Sequence, residues 1–192
     1  MDYGNFNIPG LVATAKLMDE DLYWRIVAAS LNTTSTLRKQ EIFLTETLKE
    51  LSATQVISFM LRTEKLLYDS YTSTLWCAGI IMNRGFCSDD GFRYFRCWII
   101  SRGRKVFYNA IGNPDSLIDQ INPRLKHYDF ESFSYIPSRA FEDMTQKEIY
   151  NYIDSNFLYN EGRYKKFKFS WSADQPETLR QICPSLFAKF LS

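Results

Sequence analysis

The run Gly85-Phe86-Cys87-Ser88-Asp89-Asp90-Gly91-Phe92-Arg93-Tyr94-Phe95-Arg96-Cys97-Trp98 most constrains what this chain can fold into. It opens on a small-residue turn, passes two adjacent carboxylates, and then carries Phe92 and Phe95, which with Ile99 just beyond the run are spaced three and four apart. That spacing gathers the three side chains on one face of an α-helix, whereas a strand would send them to both faces. Ser88 and Asp89 are both suited to cap the first turn, where a side-chain oxygen satisfies an orphan amide. The run predicts the capped start of a buried helix, but it does not spell out a reaction.

Helical spacing recurs along the chain. Asp19-Glu20-Asp21 place carboxylates in the first turn of a helix over residues 19–31, where the helix dipole favours them. A second helix is predicted from Leu37 to Leu51. Ser52-Ala53-Thr54-Gln55 is a capping box that opens a third helix toward Tyr71. Shorter helices follow at Trp76–Asn83 and Arg104–Ile111, the latter ended by Gly112-Asn113-Pro114, and Pro114 starts a short turn. Phe130–Met144 reads as a helix that Pro137 kinks or starts. Thr145–Glu148 is expected to cap another helix carrying Ile149, and Pro176–Leu191 a closing one. Residues 159–171 differ, because Phe167, Phe169 and Trp171 alternate with Lys166, Lys168 and Ser170 in the period of an extended chain. The expectation is a mostly α, single globular multi-helix domain with a short extended or hairpin segment near residues 159–171. Residues 1–17 form an N-terminal arm, and residues 18–192 the helical domain.

Composition narrows the chemistry. The 192 residues carry a formal net charge of only +1, which disfavours a dedicated duplex binder, since phosphate neutralisation supplies most of the affinity of such proteins. The four cysteines form no Cys-x-x-Cys pair and His127 is the one histidine, so no metal site is expected and no cofactor is assigned. Buried, reduced thiols are expected instead. No stretch approaches the roughly 18 apolar residues of a membrane span. With no signal peptide legible at its start, the protein is expected to remain cytoplasmic.

The blocks Met18-Asp19-Glu20-Asp21-Leu22-Tyr23-Trp24, Leu51-Ser52-Ala53-Thr54, Trp76-Cys77-Ala78-Gly79, Cys87–Arg96, Trp98–Arg104 and Asn113-Pro114-Asp115-Ser116-Leu117 resemble the bacterial family catalogued as domain of unknown function 4240. The resemblance covers residues 18 to about 145, with a looser match at Pro184-Ser185-Leu186-Phe187, and leaves 146–192 as an extension. It implies a small cytoplasmic protein and brings no activity that transfers residue by residue. The style of the family suggests immunity proteins encoded beside secreted toxins, which composition does not show.

Candidate binding residues are Asp89, Asp90, Arg93, Tyr94, Arg96, Arg102 and Arg104. Adjacent carboxylates diverge by about 100° on a helix, so Asp89 and Asp90 do not converge on one substrate atom; one is expected to cap and the other to meet Arg93 or Arg96. The arginines, with Tyr94 between them, suit a phosphate or an acidic partner, or pair with nearby carboxylates. No residue is assigned a catalytic role. The leading expectation is a non-enzymatic protein-binding protein, with toxin neutralisation as its proposed form. The alternatives are an enzyme with a site around Cys87–Arg96 acting on a phosphate or acyl substrate, and a single-strand nucleic-acid binder through residues 163–171. The partner's identity and the oligomeric state are not encoded in any recognisable motif.

Overall fold

Pro184 and Gln146 show how single residues set the helix boundaries. The computed structural model describes residues 10–191, and it is mostly α as expected. The chain divides into two compact units: the chain up to Lys65 with Ser134–Arg163, and Leu66–Phe133 with the chain from Tyr164 onward. Each is discontinuous in sequence, so no Pro- or Gly-rich linker marks the division.

The first unit holds α1 (Glu20–Thr33), α2 (Leu37–Lys49), the first part of α3 (Ala53–Asp69) and α7 (Ile136–Thr145). Asp19 caps α1 through its carboxylate, which accepts from the Leu22 amide. The predicted capping box opens α3, with Ser52 and Gln55 each accepting from the other's amide. Tyr23, Val27, Leu44, Leu48, Val56, Ile57 and Phe141 are almost fully buried between these helices. Glu41, only 6% exposed, is held by the guanidiniums of Arg38 and Arg139. Residues 1–9 of the expected arm lie outside the described residues. The remainder is tied down at Thr14, which pairs with Tyr152 and Asp154 through main-chain bonds of 3.0 Å.

Two expected helices differ here. Residues 130–144 are not one helix: a short 3-10 segment, Glu131–Tyr135, precedes α7, and Pro137 sits in the first turn of α7, where its missing N–H is unneeded. Beyond α7, Gln146 adopts a left-handed conformation with φ 56°, and only a 3-10 turn at Ile149–Tyr152 follows.

The second unit holds α4 (Ser73–Met82), α5 (Asp89–Ser101), α6 (Arg104–Gly112), α8 (Pro176–Ile182) and α9 (Pro184–Phe190), with a 3-10 segment at Pro114–Gln120. Helix α4 is buried on every side from Leu75 to Met82, as a helix apolar all round must be. It packs against α5, α8, α9 and the 3-10 segment. At its contact with α5, a Cβ on Gly79 would lie 3.2 Å from the Phe95 ring and 3.3 Å from Cys87 Sγ, so only glycine fits without displacement. Between α5 and α6 the chain turns at Gly103, whose φ of 93° is costly for other residues. The expected single closing helix is instead α8 and α9, broken at Cys183-Pro184; proline clashes with a preceding helical residue, and Cys183 takes φ −132°, ψ 70°. All four cysteines are buried and unbridged.

Among the described residues there is no strand, only isolated bridges at Thr14–Ile153 and Ser172–Gln175. Residues 164–171 are extended without a ladder, and no helix of the described residues is long and apolar enough to cross a membrane.

The Asp115 carboxylate accepts from the Ser185 amide (3.1 Å) and the Leu186 amide (2.9 Å), capping α9 from seventy residues away. Asp115→Ala should destabilise the protein by about 1–2 kcal/mol. The measurement is urea denaturation combined with hydrogen exchange, in which the Ser185 and Leu186 amides lose protection.

Candidate functional site

Helix α5 exposes its two carboxylates and buries its central arginine. Ser88 Oγ caps the helix by accepting from the Gly91 amide at 3.1 Å. Asp89 and Asp90 are exposed in the first turn, and neither forms an ion pair with Arg93 or Arg96, contrary to the expected pairing.

Arg96 lies four residues after Phe92, on the same side of α5, and is 1% exposed. Its Nε donates to the Phe92 carbonyl at 3.2 Å and its Nη1 to the Leu67 carbonyl. The guanidinium carbon lies 4.6 Å from the Phe92 ring centroid, 4.9 Å from Tyr164 and 5.0 Å from Tyr71. No carboxylate of the described residues is in ion-pair range of it. Guanidinium suits such a place because its charge is delocalised and weakly hydrated, and each ring face contributes about 0.5–2 kcal/mol.

The rings around Arg96 continue outward. Tyr71 stacks on Tyr164 with centroids 4.3 Å apart, and Trp76 stacks on Phe92 at 4.5 Å. Phe167 meets Tyr71 at 5.2 Å, and Phe169 meets Trp76 at 5.4 Å. The indole N–H of Trp171 donates to the Ser73 carbonyl at 2.7 Å, and that of Trp76 to the Cys87 carbonyl at 2.9 Å. Arg93 donates to the Tyr164 hydroxyl at 3.2 Å. Residues 164–171 are thereby fastened over α4 and α5.

The expected basic group separates into two. Arg93 and Arg96 belong to this cluster, whereas Arg102 ends α5 and Arg104 begins α6. At about 1.5 Å per helical residue, Arg102 lies about 9 Å further along the axis than Arg96. Arg102 donates to Ser101 Oγ; burial lowers its guanidinium to about 10, which leaves it charged at neutral pH. Tyr94 is half-buried, and its carbonyl accepts from the Phe130 amide at 3.0 Å.

Cys87, at the start of the stretch named for the enzyme alternative, is buried. Burial pushes its thiol up to about 12, with Asp89 adding to the rise and Arg96 opposing it, the reverse of an activated cysteine. Cys183 is raised too, through its hydrogen bond with Cys77 and through burial. Among the described residues no group of three or more His, Cys, Asp or Glu side chains is placed to hold a metal ion. In the first unit, the outer side of α2 forms a shallow depression lined by Lys39, Ile42, Phe43, Glu46, Thr47 and Glu50.

A family model described as a protein of unknown function (DUF4240) matches residues 18–143. The chain belongs to this family. No curated protein and no solved structure matches it. The match takes in Arg96, Phe92, Trp76 and Tyr71, while Tyr164, Phe167 and Phe169 lie beyond it, so the cluster joins the family region to the chain that follows. Sequence reasoning chose Arg96 as a binding residue but missed its enclosure. The available signal was its position four residues after Phe92, inside the apolar face of α5.

Two outcomes are expected. Arg96→Ala removes one donor from each of two carbonyls, of which that of Leu67 keeps the Ser70 hydroxyl, and leaves a void between three rings; it should cost about 3 kcal/mol in urea denaturation. For Cys87, the unfolded chain sheds a proton near the ordinary 9.0 that the folded chain keeps to about 12. The stability that Cys87 contributes is therefore complete below pH 9.0 and is lost as pH rises toward 12. Cys87→Ala should flatten the alkaline decline in denaturation midpoint, and Cys87 in the native protein should alkylate more slowly than a free thiol at neutral pH.

Proposed function

We propose that this chain is a non-catalytic protein-binding protein, with neutralisation of a toxin as the specific form to be tested. The observation that carries the proposal is the aromatic layer over Arg96. Tyr164, Phe167 and Trp171 are half-buried and Phe169 is 49% exposed, on a base fixed by stacking and by the Trp171–Ser73 hydrogen bond. Rigid aromatic groups beside cations are the usual anchors of protein interfaces, because they bury large areas with little loss of side-chain freedom.

Residues of the Cys87–Arg96 stretch are occupied otherwise. Ser88 caps a helix, the Cys87 thiol is raised by burial, and Arg96 is spent on main-chain carbonyls and rings. These placements favour binding over the enzyme alternative. The single-strand nucleic-acid alternative draws on Lys165, Lys166 and Lys168, but Phe167, Phe169 and Trp171 beside them pack edge-to-face on one another and Phe167 against Tyr71, within the cluster. A stacking platform needs free ring faces.

The experiment is affinity capture with the full chain from its native lysate, followed by co-expression with the product of the adjacent gene. A stoichiometric protein partner whose toxicity is suppressed is the expected result. Absence of both a partner and protection overturns the proposal.

A further inference from the structure

Residues 165–171 carry main-chain groups that the described residues leave unpaired. No backbone N–H or C=O from Lys165 to Trp171 is hydrogen-bonded to a described residue. Side chains two apart are nevertheless in ring contact, Phe167 with Phe169 at 5.2 Å and Phe169 with Trp171 at 4.9 Å. That is the side-chain period of a strand, since residues two apart on a helix point in different directions. The segment has the form of a strand without a neighbour.

Its faces differ. Phe167, Phe169 and Trp171 fasten one side to Tyr71, Trp76 and Ser73. Lys166 and Lys168 alternate with them and are exposed, Lys165 lies over the Tyr68 ring, and no carboxylate occurs between Gly162 and Ala173. Unpaired main-chain groups on a fixed extended segment are a template for another strand, as in β-augmentation, while the lysines beside them turn away any strand that is not acidic.

We infer that residues 165–171 form a docking edge that takes an acidic, extended segment of a partner protein as an added β-strand. This rests on the protein-binding proposal and specifies how the partner is held. Charge complementarity selects the occupant, because carboxylates on the incoming strand meet Lys166 and Lys168, whereas a second copy of this edge would set lysine against lysine. Single-stranded nucleic acid matches the charge but cannot use the free amides and carbonyls as a strand does.

The test uses the full chain and a fluorescent, end-blocked decapeptide alternating glutamate with threonine. The expected result is saturable binding, with new hydrogen-exchange protection confined to the amides of residues 165–171. Methylating alternate peptide nitrogens should weaken binding about tenfold, because it removes donors and keeps the charge. The exposed-site variant Lys165→Glu/Lys166→Glu/Lys168→Glu should lose the acidic peptide and gain its lysine counterpart. Equal binding of the methylated peptide, protection elsewhere, no peptide binding, or an oligo-dT that binds with steep salt dependence while the peptide fails to compete would each overturn the inference. A captured partner that still binds the triple variant overturns the docking edge and leaves the protein-binding role standing. Peptide docking with no partner and no suppressed toxicity overturns that role instead.

Discussion

The burial of Arg96 without a carboxylate is the constraint on which the second unit depends. A cation removed from water must recover its solvation from whatever surrounds it. Here the surroundings are two main-chain carbonyls and three ring faces, so the charge is solvated by backbone and π electrons. Leu67, Tyr71, Phe92 and Tyr164 come from three separated stretches of chain, and one guanidinium fixes all three. Replacing Arg96 with lysine would offer a point charge where a planar fork is required.

This arrangement also explains how residues 164–171 keep a defined path without a ladder. Tyr164 is fixed between Tyr71 and the guanidinium, and Trp171 is tied to the start of α4. With both ends fastened, the intervening lysines are carried on a chain that has lost much of its freedom already. A partner that binds there gives up less conformational entropy than one that orders a loose loop.

Local signals in the sequence were enough for α1 to α6 and several of their ends. Asp19, the Ser52–Gln55 box and Ser88 act as caps because capping is decided within four residues. The failures are also physical. The break at Pro184 interrupts an apolar face that remains in register through Leu179 and Leu186, so periodicity alone cannot register it. Gln146 carries no glycine-like signal for its left-handed backbone. At the candidate site, Arg96 was legible as a binding group from its type, but its enclosure depends on Tyr71 and Tyr164, twenty-five residues before and sixty-eight after it. The Asp115 cap on α9 is hidden for the same reason, since no short window contains both partners.

Discontinuity of the two units has a consequence for the nascent chain. Helices α1 and α2 leave the ribosome well before α7, the helix of residues 136–145 that packs against α2. Leu44 and Leu48, fully buried in the finished protein, await a segment about ninety residues downstream. The second unit likewise awaits α8 and α9, which follow its other helices in the sequence. Translation at about 5–20 residues per second leaves apolar surface uncovered for several seconds, an interval in which holding chaperones act. Completion of each unit therefore waits for segments far downstream of its first helices, rather than proceeding helix by helix in the order of synthesis.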